Sequence, residues 1–427
     1  MLEIALYIAI IAQALFLLGQ SIFSIYQTIY IWDDPDRAEA AAAPKKFVDP
    51  ALGFTVLLPA RHEQKVIGDT LVKLSQAKYP KSKVELLVIC STDDKATIAA
   101  AQQAKKKHQI SNARVVVFSG KPGKSRAMNI GLSSARHPII TIFDSEDDVS
   151  PEIFSIVNTL YAKNKVDIIQ CGVQLMDYRS RWFSAHNVLE YFFWFKSRMH
   201  YYADLNSVPL GGNTVFFKRE DLLRVGGWDE AGLTEDADIG IRLSAEGKNF
   251  GAMYDRRYVT KEECPHTVKA FIKQRTRWNQ GFLQIIKKKD WKRLTTRKQL
   301  ILVLYVLTAP TYMAVVMLFA LPLVYIGASN KLPVLMSLLT FIPLFLMAVM
   351  MLISLIGLHE FGKDQNIRIK LRSYIFLLLT FIPYQVLLTI SSVRAIIREI
   401  RGNNAWEKTD HLGSHRLLEN HNARETV

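Results

Sequence analysis

Phe54-Thr55-Val56-Leu57-Leu58-Pro59-Ala60-Arg61-His62-Glu63 begins as a short apolar run rich in strand formers and ends in a polar cluster. An unbroken apolar run of this length reads as a strand buried on both faces. Further strand candidates follow at 84–90, 113–118 and 139–143, with helical patterns at 64–77, 93–108 and 124–135. Strands alternating with helices of this length predict βαβ units and a mostly parallel α/β sheet. In such sheets ligands bind beyond the carboxyl ends of the strands.

Three polar clusters fall at those ends: Ala60-Arg61-His62-Glu63, Ser91-Thr92-Asp93-Asp94 and Asp144-Ser145-Glu146-Asp147-Asp148. One alone would read as a turn or a helix cap. Together on one sheet edge they predict a nucleotide pocket. Gly120-Lys121-Pro122-Gly123-Lys124-Ser125-Arg126 leads into a helix, whose backbone amides, with Lys124 and Arg126, suit a phosphate group. The spacing of a P-loop is not met there. The acidic run after Phe143 is the metal candidate, with Asp144, Glu146 and Asp147 as possible ligands. One or two carboxylates plus phosphate oxygens are the usual way Mg2+ or Mn2+ serves diphosphate chemistry.

The chain has 427 residues, 49% hydrophobic and 22% charged, but this average hides a division. Residues 4–31 carry no charge and are long enough to cross a hydrocarbon core as a helix. No basic segment precedes them, so an anchor is the expectation rather than a cleaved signal. Apolar runs near 300–328, 332–358 and 373–397 contain Pro310, Pro322, Pro343 and Pro383. Membrane helices tolerate such breaks. The net charge of +15 gathers beside these runs, as at Lys287-Lys288-Lys289, Lys292, Arg293, Arg297 and Lys298. That pattern points to anionic lipid and to a cytoplasmic middle domain, not to nucleic acid. Cys90, Cys171 and Cys264 are too few and too far apart for a disulfide framework or a metal cluster.

Thr234-Glu235-Asp236 offers a carboxylate that could take the proton of an attacking hydroxyl. It also reads as a helix start, with Thr234 as the cap, and Asp238 adds to the crowding of carboxylates. Gly211-Gly212-Asn213, before a strand-like run, suits either close backbone approach to a ligand or a hairpin turn. Gln274, Arg277 and Trp278 share one face of a predicted helix. There an arginine can pair with a diphosphate and an indole can stack on a sugar. The aromatic stretch 182–202 fits a bilayer interface or a buried core helix.

Gln274-Arg275-Thr276-Arg277-Trp278, Thr234-Glu235-Asp236 and the membrane helices together resemble the family 2 membrane glycosyltransferases, the group of cellulose, chitin and hyaluronan synthases. The resemblance reaches from about residue 54 to 409. It implies a GT-A domain that takes a sugar from a UDP-sugar with inversion and adds it, β-linked, to a growing polysaccharide. Transfer of one or a few sugars to a lipid acceptor is the alternative. Asp236 becomes the base beside Glu235 and Thr234, Asp93 or Asp94 faces the uracil or ribose, and Arg61 and Glu63 lie near them. Asp144 and the basic pair Lys124 and Arg126 complete the donor site, and Gly211, Gly212, Gln274, Arg277 and Trp278 serve the diphosphate and the acceptor. The family's Asp-x-Asp is replaced by Asp144-Ser145-Glu146-Asp147, so the second ligand is either Glu146 or Asp147.

The implied layout is a membrane helix at 1–32, a linker at 33–50, a cytoplasmic GT-A domain at 51–298, a membrane region of about three segments at 299–398, and a basic tail at 399–427. The setting is a bacterial inner membrane, with room for an export or accessory subunit. Three spans after a cytoplasmic domain would leave the tail outside, yet Arg394, Arg398, Arg401, Lys408 and Arg416 argue for the cytoplasm. One late segment is therefore expected to be re-entrant or interfacial. Trp406-Glu407-Lys408-Thr409-Asp410-His411 resembles a stretch of bacterial relatives that would fold back toward the active site.

Overall fold

The structure, a computed structural model, describes residues 2–329 and 332–407. Its first half alternates: α1 (Leu2–Ile29), α2 (Pro35–Ala41), β1 (Phe54–Pro59), α3 (Ile67–Ser75), β2 (Val84–Ser91), α4 (Lys95–Lys107), β3 (Ala113–Phe118), α5 (Lys124–Ser134), β4 (Ile139–Ile142) and α6 (Ile153–Lys163). Then come β5 (Ile168–Cys171), β6 (Val173–Leu175), α7 (Ser184–Phe193), α8 (Met199–Asp204), β7 (Val215–Lys218), α9 (Arg219–Arg224), α10 (Glu235–Ala245), β8 (Phe250–Met253), β9 (Thr260–Glu262) and α11 (Val268–Lys288). The chain continues as α12 (Arg297–Ser329), α13 (Val334–Thr340), α14 (Ile342–Asp364) and α15 (Leu371–Ile400).

Seven strands form one sheet in the order β3-β2-β1-β4-β7-β5-β8. Only β7 runs against its neighbours, so the sheet is mostly parallel, as expected. β1 lies inside the sheet between β2 and β4, and its side chains alternate between two cores. Phe54, Val56 and Leu58 face α3 and α6, whereas Leu57 joins Met128 and Leu132 of α5. The second core does not end at the domain. It runs through Phe192, Phe195 and Tyr202 to Leu302, Val306, Leu358, Phe361 and Leu377 of the apolar helices. The aromatic stretch is therefore a core segment wedged between the sheet and the long apolar helices.

The segment read as a linker is partly ordered: α2 lies within it, and Tyr254 N–H donates to the Ala41 carbonyl at 2.9 Å. α1, α12, α14 and α15 are each long and apolar enough to cross a membrane. α13, with seven residues, spans only about 10 Å and serves as the turn between α12 and α14.

α15 behaves differently from the other three. It runs beside α11 in the same direction: Phe271 meets Tyr384, Thr276 Oγ1 donates to the Ser391 carbonyl, and Arg398 Nε donates to Gln280 Oε1 at 2.9 Å. Near its start, His186 of α7 bonds Thr380. Leu371, Ile375, Leu379, Ile382, Val386 and Ile390 form an exposed apolar stripe on its outer face. Both ends of α15 thus lie against the globular domain, although by length and hydropathy the helix could also cross a membrane. The tail returns to the side from which α12 departs.

Candidate functional site

The carboxyl end of β1 is fixed by α4. Asp94 caps that helix, accepting from Thr97 N–H, and also accepts from His62 N–H at 2.6 Å. Burial alone would raise its pKa, but these N–H donors hold the Asp94 carboxyl below the usual range. Asp94 is thus a scaffold residue, and the exposed Asp93 pairs with Arg61 at 3.1 Å. Arg61 and Glu63 line the main cavity, while Arg126 turns toward the Ser119 carbonyl outside it.

The acidic run folds as a tight turn in which Asp147 N–H donates to the Asp144 carbonyl and Asp144 N–H to Asp147 Oδ2. Such a turn brings its first and last residues together and sends the third elsewhere. The next residue, Asp148, exchanges backbone hydrogen bonds with Lys261, which carries Glu262 of β9 alongside. Asp144, Asp147 and Glu262 consequently place carboxylate oxygens within 4.8 Å of one another. Glu146, expected as a possible ligand, lines the cavity but lies outside this cluster. Burial, then the charges of Glu262, Asp144 and Glu146, pushes the Asp147 carboxyl well above its ordinary value. A divalent cation would offset that crowding, and the all-oxygen donor set suits one.

Lys124, at the first turn of α5, lies 2.8 Å from Asp144 Oδ1 and 3.8 Å from Glu235 Oε1. Burial would lower its pKa, yet these carboxylates hold it well above the ordinary value. It joins the acidic cluster to Thr234-Glu235-Asp236.

α10 begins at Glu235 with Thr234 at the cap position, as the helix-start reading expected, but the Thr234 side chain makes no capping bond. Its Oγ1 is buried with no hydrogen-bond partner and packs on α11, where a Cβ at Gly281 would stand 2.2 Å from it. Asp236 Oδ2 lies 3.1 Å from the position of a Cβ at Gly212, so glycine is what lets this loop pass the carboxylate. Its depth in the cavity, then the Glu235 charge, pushes the Asp236 carboxyl up to about 7, while Lys124 and Arg277 pull the other way. Asp238 does not add to the crowding, because Arg242 and Lys288 each pair with it at 2.8 Å.

Gln274, Arg277 and Trp278 face the same cavity from α11. Gln274 Oε1 and Arg277 Nε are buried without partners, as donors and acceptors reserved for a ligand would be. Arg275, the residue between them, pairs with Glu190 and Asn187 and lies over the Trp278 ring, and its Nε too is buried without a partner. Trp406 lies under the Arg277 guanidinium at 5.6 Å, and Glu407 pairs with Arg394 at 2.7 Å. The expected return of the tail holds as far as Glu407; Lys408, Thr409, Asp410, His411 and Arg416 lie outside the described residues.

Arg61, Glu63, Lys124, Asp144, Glu262, Asp236 and Arg277 line one cavity of about 840 Å³, whereas Asp93, Asp94 and Asp147 do not line it. It continues past Asp236 and Gly211-Gly212 into a space walled by Met313, Met317, Met347 and Met350 of α12 and α14.

Residues 50–281 match the family described as glycosyltransferase like family 2. A beta-monoglucosyldiacylglycerol synthase of Nostoc sp. is 24% identical over 388 residues, covering 87% of this chain and 79% of the relative. A poly-beta-1,6-N-acetyl-D-glucosamine synthase of Staphylococcus epidermidis is 24% identical over 261 residues, 60% of each chain. Among solved structures, a mannosyltransferase of Pyrobaculum calidifontis, determined with GDP-Man and Mn2+, superposes with a TM-score of 0.61 at 19% identity, covering 93% of this chain and 98% of that one. The fold is thus GT-A-like.

Proposed function

Because this chain belongs to glycosyltransferase family 2, we propose that it transfers a sugar, with inversion, from a UDP-sugar to an acceptor hydroxyl at the membrane face. The observation that carries this reading is the continuity of one cavity from the acidic donor side, past Asp236, into the space between apolar helices. An acceptor that lives in the bilayer can reach the base without leaving it. A lipid acceptor is the reading this favours, and the similarity to a glucosyldiacylglycerol synthase along 87% of the chain supports it. A growing β-linked polysaccharide stands beside it, supported by the poly-N-acetylglucosamine synthase and by Trp278 and Trp406, whose rings line the cavity as sugar platforms would.

The residues divide the work. Arg61, with its partner Asp93, and Glu63 receive the nucleoside. Asp144, Asp147 and Glu262 would hold Mg2+ or Mn2+, which supplies charge neutralisation for the departing diphosphate. Lys124 adds a fixed positive charge beside Asp144, and Arg277 faces the same diphosphate. As the acceptor oxygen bonds to the anomeric carbon, the bond to the diphosphate breaks and an Asp236 oxygen takes the hydroxyl proton. The basic residues beside α12 favour a cytoplasmic catalytic domain.

Membrane vesicles supplied with labelled UDP-sugars and a divalent metal test the acceptor. Label in the lipid extract alone supports the glycolipid reading, and label in high-molecular-weight material supports the polymer. Absence of transfer from any UDP-sugar would overturn both.

A further inference from the structure

α1 is apolar enough to cross a membrane, yet Gln20, Ser21, Ser24, Gln27 and Thr28 share its inward side. Polar groups on a membrane helix are costly and mark functional positions. Gln20 Nε2 donates to Tyr305, and Gln27 Oε1 accepts from Tyr202. Ser24 and Thr28 instead receive Arg198, which ends the π turn at Trp194–Arg198. Arg198 Nη2 donates to Thr28 Oγ1 at 2.8 Å and to Ser24 Oγ at 3.1 Å, and Nε to Thr28 Oγ1 at 3.2 Å. Among the described residues no carboxylate pairs with this guanidinium, and its Nη1 has no protein acceptor. A cation beside membrane helices with only hydroxyl partners calls for an anion. A π turn in such a place is itself a common mark of a functional site.

Arg198, Ser21, Ser24 and Thr28 line the same cavity as Asp236 and the methionine-walled space. We propose that Arg198, presented by Ser24 and Thr28, binds the phosphate of a membrane lipid whose chains lie against Met313, Met317, Met347 and Met350. The planar fork of an arginine matches phosphate oxygens, and flexible methionines accommodate acyl chains of varied shape. This rests on the reading that the cavity admits lipid, and it adds the charge of that lipid. The phosphate belongs either to the acceptor or to a bilayer phospholipid seated beside it.

The test uses the full chain in detergent, with dioctanoyl phosphatidylglycerol and dioctanoylglycerol as probes and binding read by native mass spectrometry. Arg198→Gln should weaken phosphatidylglycerol about ten-fold or more, as expected for loss of a charged hydrogen-bonding partner, and leave dioctanoylglycerol unchanged. Arg198→Lys should fall between, and Ser24→Ala with Thr28→Val should weaken the same probe while keeping the charge. Equal phosphatidylglycerol binding by wild type and Arg198→Gln would overturn the proposal, as would an equal loss of both probes. Sugar incorporated into the phosphate-bearing lipid assigns the phosphate to the acceptor, whereas stimulation without incorporation assigns it to a neighbouring phospholipid. If no lipid accepts sugar, the acceptor reading fails, but the difference between the two probes still decides this one.

Discussion

Asp236 Oδ2 lies 3.1 Å from where a side chain at Gly212 would begin. That spacing is tighter than ordinary van der Waals contact. Gly212→Ala should therefore shift the carboxylate and lower kcat by about ten-fold or more, since small misplacements of a base are costly. The KM for the donor should change less, because the added Cβ would meet Lys124 Nζ only at an ordinary contact distance of 3.7 Å. Steady-state kinetics with a fixed acceptor would check the division.

Asp236 must be ionised to accept a proton, and its carboxyl is pushed up to about 7. Turnover should rise as pH rises through about 7 and be lost below it. Glu235→Gln removes the negative neighbour that raises this pKa and should move the acidic limb to lower pH. A pH profile of kcat for both proteins reads the shift.

The same raised pKa opposes folding once Asp236 is ionised. An acid whose folded pKa lies above its unfolded value stabilises the fold at low pH and loses that contribution as pH rises through the folded value. Asp236→Asn should abolish transfer and yet raise Tm, more at about pH 8 than at about pH 5. A Tm that falls equally at both pH values would contradict the burial argument.

In the acidic cluster, Glu262→Gln and Asp147→Asn should raise the divalent metal concentration for half-maximal activity by about ten-fold or more. Glu146→Gln should change it by no more than about two-fold, because Glu146 lies outside the cluster. Titration of activity with Mn2+ after chelator treatment separates the two outcomes.

If α15 lies along the domain, Asn403 and the catalytic domain share one side of the membrane and α13 lies on the other. Cysteines placed at Asn403 and at Lys121 should react with an impermeant maleimide from the same side of sealed vesicles. A cysteine at the exposed Val334 should react from the opposite side. Cys90, Cys171 and Cys264 are buried and give little background.

The parallel sheet and its strand-end clusters were legible because each depends on local pattern: β1 and β2 are apolar throughout and end in polar turns. Glu262 was not legible. It reaches Asp144 only through the pairing of Asp148 with Lys261, residues more than a hundred positions apart, and nothing in Thr260-Lys261-Glu262 announces that neighbour. Asp94 and Asp93 were indistinguishable as letters, and only the capping of α4 separates their tasks. The four apolar helices were legible from length and hydropathy alone, whereas the packing of the last of them along α11 was not.

The hydrophobic core that runs unbroken from Leu57 through Phe192 to Phe361 leaves no hinge between the sheet and the apolar helices. On the proposed function, Asp236 is accordingly carried at a set distance from the apolar helices. For a lipid acceptor, selection then becomes partly a matter of reach: the proposed transfer requires that the lipid's own anchor hold its hydroxyl at that distance.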